Sequence, residues 1–194
     1  ALVVKDEKGM PFVPGKTIKG LVREAVEEIR GFQGKQDAEA FVKAFGFFDD
    51  KEQKEKGVMY MVGIDVSVHN GAIDWRRVRE GGVEFAIIRA GYGRVTSQKD
   101  NRFEENYTGA KAQSIPVGAY WYSYATTEED ARREAEAFLE VIKGKKFEYP
   151  VYYDVEEKRQ FDLGKEQVSK IIRAFLEVVE AAGYWVGIYS SSSA

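Results

Sequence analysis

Five short apolar runs recur in the second part of the chain: MVGIDVS (61–67), FAIIRAGY (85–92), PVGAYWYSY (116–124), YPVYYDV (149–155) and YWVGIYS (184–190). β-branched and aromatic residues dominate them, and their near-continuous apolar character suits parallel strands covered on both faces. Helical spacing fills most of the gaps. Glu128 to Ile142 puts Ala131, Ala135, Phe138, Leu139 and Ile142 on one face, and Glu166 to Ala182 does the same with Val168, Ile171, Ile172, Phe175, Leu176 and Val179. Gly183 follows the second helix at the position a C′ glycine takes. Asn101 to Ala112 predicts a weaker helix, and Asp74 to Glu80 a turn or two with Asp74 as its cap. The GGV at 81–83 is a turn signal. Strand and helix alternating at this spacing predict an α/β fold of βαβ units on a parallel sheet, open or closed into a barrel.

Before residue 60 the pattern changes. Ile18, Leu21, Val22, Ala25, Val26 and Ile29 mark one apolar helix face, and Asp49 to Lys56 is a charged, weakly apolar run of linker type. The chain therefore divides into residues 1–48, a linker over 49–60, and a larger unit over 61–194.

The stretch PVYYDVEE (150–157) brings chemistry into this frame. Residues two apart on a strand share a face, which places Asp154 and Glu156 side by side, roughly 6.5–7 Å apart by the rise per residue. Two carboxylates at that separation raise each other's pKa, so one stays protonated near neutral pH and the pair supplies an acid together with a charge stabiliser. In α/β barrels the working residues gather at the carboxyl ends of the strands, where Asp65, Asp154 and Glu156 all fall.

Composition narrows the chemistry further. The 194 residues carry 29 basic and 32 acidic side chains, a net charge of −3 that offers no general electrostatic case for nucleic acid or membrane. With no cysteine and with His69 alone, thiol catalysis, cysteine metal sites and histidine triads fall away, leaving acid–base work to carboxylates, tyrosines and lysines without a cofactor. No run reaches the 18 or so apolar residues of a membrane span, and the start ALVVKDEKGMPF has no signal-peptide stretch.

The segments GIDVSVHNGAIDWRRVREGGVEFAIIRAGYG, IPVGAYWYSYATTEEDARREAEAFL, YPVYYDVEE and AAGYWVGIYSS, in that order, resemble glycoside hydrolase family 25, the lysozymes of N-acetylmuramidase type, from about Met61 onward. The resemblance implies an irregular β/α barrel acting on bacterial peptidoglycan at the bond between N-acetylmuramic acid and N-acetylglucosamine. It implies Glu156 as the general acid, Asp154 and Asp65 lining the site with Asp154 stabilising positive charge, and Tyr120 beside the sugar. A muramic acid sugar carries a 2-acetamido group able to act as internal nucleophile, with Asp154 orienting it. Trp75 and Trp121 are expected as buried aromatics rather than sugar platforms, His69 as a loop residue beside the cleft, and Arg89 and Asp100 either as residues shaping the site or as a structural charge pair. Family members continue for three more strands beyond the one ending YSS, the last contributing a further aspartate. The resemblance therefore implies a partial barrel with two unpaired edges, open to self-association or to inactivity. By the same resemblance the protein is endolysin-like, made in the cytoplasm and acting on the cell wall.

Residues 2–48 carry a second resemblance, on PFVPGKTIKGLVREA (11–25), to a fragment of the RAMP proteins of CRISPR effector complexes, which implies a small α+β piece of an RRM-like domain. Lys16, Lys19 and Arg23 would then lie near a helix start where RNA phosphate binds. The alternative functions are thus an RNA-binding, CRISPR-accessory protein and an inactive composite remnant.

Overall fold

A computed structural model describes the backbone of residues 2–5, 11–12 and 60–190, and the side chains of 63–190. Its strands form one sheet. β1 (Leu2–Lys5), β2 (Pro11–Phe12), β3 (Tyr60–Val66), β4 (Phe85–Tyr92), β5 (Val117–Tyr122), β6 (Val151–Asp154) and β7 (Val186–Tyr189) stand in the order β2-β1-β3-β4-β5-β6-β7. From β3 to β7 every neighbour is parallel and follows in chain order. On the far side of β3, β1 pairs antiparallel through Leu2↔Val62 to Val4↔Tyr60, so that edge of the parallel set is occupied rather than open. Among the described residues the sheet does not close into a barrel. The expected helix face over 18–29, the basic residues at 16, 19 and 23, and most of the 49–60 linker lie outside the described residues.

The expected helices are present: α1 (Trp75–Glu80), α2 (Phe103–Ala112), α3 (Glu128–Ile142) and α5 (Lys165–Ala181), with a single turn α4 (Lys158–Phe161) after β6. Their ends follow local chemistry. Asp74 caps α1 by accepting from the Arg77 N–H at 3.1 Å, and Thr127 caps α3 by accepting from the Asp130 N–H at 3.1 Å. Glu128, Glu129 and Asp130 in the first turn of α3 complement its dipole, while Gly183 past α5 takes the left-handed φ of 87°.

Parallel strands that succeed one another in space need crossovers of one hand, which send the intervening helices to one face of the sheet. The core bears this out. Trp75, Phe103, Ala110, Phe138 and Phe175 from the helices share one buried cluster with Val66, Ile88, Ala119, Trp121, Val151, Tyr153 and Val186 from the strands. Trp75 and Trp121 are both buried there, 6% and 0% exposed, as expected. Tyr153 stacks on Phe175 at 3.7 Å between ring centres. On the opposite face a smaller group of Phe85, Ile87 and Tyr149, flanked by Tyr120 and Tyr152, fills the end away from the strand termini. Glycine makes that packing feasible. A Cβ on Gly63 would lie 1.7 Å from the Phe85 ring, and one on Gly118 would lie 2.5 Å from the Pro150 carbonyl oxygen.

A buried polar relay behind β6 ties the helices to the strand ends. Glu134, on the apolar face of α3 and 0% exposed, accepts from the Tyr153 hydroxyl at 2.7 Å and from the Tyr124 N–H at 2.8 Å. The Ser123 hydroxyl donates to Tyr153 at 2.8 Å, and Gln160 of α4 donates to Ser123 at 2.8 Å and to the Ala125 carbonyl at 2.9 Å. Burial pushes the Glu134 carboxyl above the usual range despite these donors. Replacing it by alanine strands the buried Tyr153 hydroxyl and the Tyr124 N–H. Urea unfolding of Glu134→Ala is expected to report a loss of about 2–3 kcal/mol, with Glu134→Gln losing less; an unchanged midpoint in the alanine variant would contradict the relay.

Candidate active site at the carboxyl ends of the strands

Alternation along the strands decides which side chains reach the second face. On β4, Ala86, Ile88 and Ala90 go to the helices, which leaves Phe85, Ile87 and Arg89 on the other side. On β6, Val151 and Tyr153 face the helices, which turns Tyr152 and Asp154 away. The parallel register then sets rows across the sheet. Arg89, Tyr120, Tyr152 and Gly187 form one row, and Tyr92, Tyr122, Asp154 and Tyr189 form the next toward the carboxyl ends. Asp65 reaches the same face from β3, where it pairs with Ile87. A register shift between Arg89 and Gly91 bends β4 at this end, as bulges near sites do.

All four residues expected to form the site, Asp65, Tyr120, Asp154 and Glu156, therefore converge on one face and at one end. β6 stops at Asp154, so Glu156 lies just past the strand and not within it. The alternation nonetheless continues for two more residues: Val155 is buried in the helix-side core and its N–H still bonds the Tyr189 carbonyl at 2.9 Å, while Glu156 is half-buried on the site side.

The electrostatics follow from burial. Asp154 is 4% exposed, and its Oδ1 has no hydrogen-bond partner among the described residues. Burial first, then the charges of Glu156 and Asp65, push its carboxyl up to about 8, while the Arg89 guanidinium pulls the other way. Glu156 is also raised, first by burial and then by Asp65. The Tyr120 hydroxyl is raised by burial, opposed by Arg89 and reinforced by Asp154, Asp65 and Asp100. These shifts describe one pocket in which three carboxyl groups repel one another and a single guanidinium offsets them.

Arg89 and Asp100 pair at 2.7 Å, with side chains 13% and 0% exposed. Asp100 also accepts from the Val68 N–H at 3.0 Å and the Arg102 N–H at 2.9 Å, which fastens the loop after β3 and the approach to α2 to the same carboxylate. His69 is exposed in the turn Val68–Asn70 that follows β3.

Sequence reasoning missed three contributors. Tyr189 stands in register beside Asp154, and its hydroxyl is raised by burial and then by Glu156, Asp154 and Asp65. Tyr122 donates to Glu157 at 2.9 Å, holding the residue next to Glu156. Both sit at the ends of strands the apolar pattern had located, so counting register was the available signal. Glu134 could have been found as a charge interrupting the apolar face of α3. Among the described residues no group of three histidine, cysteine or acidic side chains is arranged to hold a metal ion.

A carboxyl protonated at neutral pH beside others that are more exposed is the equipment of acid-catalysed glycoside cleavage. Comparison with known proteins agrees. The autolytic lysozyme of Clostridium acetobutylicum is 32% identical over 132 residues, covering 67% of this chain and 38% of that protein. Lysozyme M1 of Streptomyces globisporus is 46% identical over 61 residues, 31% of this chain and 20% of its own length. Among solved structures, the modular autolysin LytC of Streptococcus pneumoniae superposes with a TM-score of 0.58 at 34% identity, covering 66% of this chain and 32% of that one. A family 25 glycosyl hydrolase of Bacillus anthracis gives 0.58 at 30% identity, covering 67% and 60%. The chain thus spans well under half the length of the two lysozymes and of the pneumococcal autolysin. The family model for glycosyl hydrolases family 25 matches residues 64–193, the stretch that contains the carboxyl ends of β3 to β7, and this chain belongs to that family.

Proposed function

We propose that this chain carries the acid-catalytic part of a peptidoglycan hydrolase, an N-acetylmuramidase that cleaves the β-1,4 bond between N-acetylmuramic acid and N-acetylglucosamine. The observation that carries the reading is the buried Asp154 carboxyl, which has an unpartnered Oδ1 and lies in the field of Glu156 and Asp65. Family membership supports it, as does the structure of the pneumococcal autolysin in complex with a synthetic peptidoglycan ligand.

In this proposal the 2-acetamido N–H of the muramic acid sugar donates to the free oxygen of Asp154. A hydrogen bond to the charged form favours ionisation, so substrate draws Asp154 toward carboxylate while Glu156 keeps its proton. Glu156 transfers that proton to the glycosidic oxygen as the C1–O bond breaks, and the acetamido carbonyl oxygen bonds to C1, giving a cyclic oxazolinium that the Asp154 carboxylate stabilises. Water then adds at C1 and gives a proton to Glu156, and the ring reopens with net retention. Tyr120 lies beside the sugar, and Asp65 keeps the Glu156 proton in place through its charge.

The same reading takes the five parallel strands in chain order as part of a β/α barrel wall, with residues 1–48 and the 49–60 linker preceding it in the chain. The outer edge of β7 is the place where a further strand or a second copy would add. An RNA-binding role rests on residues 11–25, and the family match together with the net charge of −3 favours the hydrolase over it.

Incubation with purified peptidoglycan is expected to release fragments with muramic acid reducing ends, retained in configuration, and Glu156→Gln is expected to lower the rate by about 10²–10⁴-fold. Inverted ends would overturn the internal nucleophile, and undiminished cleavage by the variant would remove Glu156 from the acid role.

Asp154 also couples function to stability. An aspartate of ordinary pKa near 3.9 in the unfolded chain that titrates at about 8 when folded binds its proton more tightly in the native state. Its contribution to stability is complete below about pH 4 and is lost as pH rises through 8. Asp154→Asn, which cannot ionise, is expected to unfold at a higher temperature than the wild type by a margin that widens from pH 5 to 8, while cleaving at least about 100-fold more slowly. Parallel thermal midpoints across that range would contradict the buried charge.

A further inference from the structure

The hydrolase reading requires Asp154 to ionise at the moment of catalysis, although its surroundings favour the neutral acid. The groups facing Asp154 are Asp65 on β3, Arg89 on β4, Tyr120 and Tyr122 on β5, Glu156 just beyond β6, and Tyr189 on β7. Three of these are phenols, two are carboxyl groups, and Arg89 is the one cation among them.

Arg89 is built into its place. Its backbone pairs with Tyr120 on the site face, next to the register shift in β4. Its Nε donates to Asp100 Oδ2 at 2.7 Å, and both side chains are nearly withdrawn from solvent, 13% and 0% exposed. Asp100 is itself fixed by the Val68 and Arg102 amides. The pairing uses Nε, and among the described residues the terminal amino nitrogens of Arg89 have no hydrogen-bond partner. Asp100 Oδ1 accepts from the Arg102 amide, so the pair is a single Nε contact rather than the two-pronged fork such pairs often make. That contact fixes the group on the sheet face that also carries Asp65, Tyr120 and Asp154, with the guanidinium carbon 6.0 Å from the centre of the Tyr92 ring. The Arg89 guanidinium favours the ionised form of Asp154.

We propose that Arg89, oriented by Asp100, is a positioning residue of the hydrolase: its fixed charge lets Asp154 ionise when substrate binds, so that the proton resides on Glu156. This rests on the proposed muramidase activity, and it goes beyond a structural ion pair because it ties residue 89 to the protonation of residue 154. Lysine at 89 preserves the charge and loses only the fork, and an uncharged side chain of similar length loses both.

The test compares wild type, Arg89→Lys, Arg89→Met and the double variant Arg89→Met/Asp100→Asn. The double variant avoids leaving Asp100 buried without a partner. Each is checked for cooperative unfolding, its Asp154 carboxyl is titrated by carbon-13 NMR without substrate, and its pH–rate profile on peptidoglycan is recorded. Loss of the opposite charge is expected to raise the Asp154 midpoint and the acid limb of the rate profile by about one pH unit in Arg89→Met, and by less in the double variant, which also removes the negative charge of Asp100. Arg89→Lys is expected to stay within a few tenths of the wild type. An unmoved Asp154 midpoint in a folded Arg89→Met or double variant would overturn the proposal, as would equal losses of rate in the lysine and methionine variants with no change in the pH profile. Absence of cleavage by the wild type alongside a moved midpoint would remove the hydrolase reading and leave the hold of Arg89 on Asp154 standing.

Discussion

A β-strand sends successive side chains to opposite faces, and in this protein that alternation separates stability from chemistry. One face of the parallel sheet meets four helices and is packed mainly with apolar side chains, among them Ile88, Ala119, Trp121, Tyr153 and Val186. The other face is free of that demand near the carboxyl ends of the strands, and Asp65, Arg89, Tyr120 and Asp154 occupy it. Slipping β6 by one residue would turn Tyr153 away from Phe175 and drive Asp154 into the helix core, so the packing that holds the fold also fixes the register of the site.

The site is then governed by how little solvent reaches Asp154. Burying a carboxyl beside two others costs stability, and the structure offsets that cost only in part, through the one guanidinium of Arg89. What remains is a group held near the point of ionising, which is the condition an acid–stabiliser pair requires. The surrounding polar contacts limit how far it can relax. Asp100 fastens Arg89, the loop after β3 and the approach to α2 to a single carboxylate, and the relay from Glu134 through Tyr153 and Ser123 to Gln160 fastens the segments on either side of Asp154. A strand end pinned from both faces keeps repelling charges close together.

Much of this was legible in the residues. The five apolar runs located the five parallel strands, and α3 begins and ends at Glu128 and Ile142, where the periodicity put it. The candidate carboxylates Asp65, Asp154 and Glu156 could be named because Asp154 and Glu156 differ by two and strand ends are where such residues gather, whereas Tyr120 came only from the family resemblance. The closure of the sheet was not legible, since apolar runs describe strands equally well in an open sheet or a barrel. Nor was the pairing of Leu2–Lys5 on β3, because that contact joins segments more than fifty residues apart with no local signature. The strand at YPVYYDV proved shorter than its apolar run, because Tyr149 packs below the sheet with Phe85 at 4.8 Å and Val155 anchors to β7 past the strand end. Asp100 was ambiguous in sequence, as any acidic residue in a loop is, until the structure placed it against Arg89 and two amides.

Asp65, from the end of β3, shares one field with Asp154 and Glu156 at the end of β6. Titration of the Glu156 and Asp154 carboxyl carbons by NMR, in the wild type and in Asp65→Asn, tests it most directly. Both carboxyls feel Asp65 in the structure, so both midpoints are predicted to fall when its charge is removed. Midpoints that stay where they are in a folded Asp65→Asn protein would mean that β3 does not contribute to the site, and the account of a single acidic pocket would be wrong.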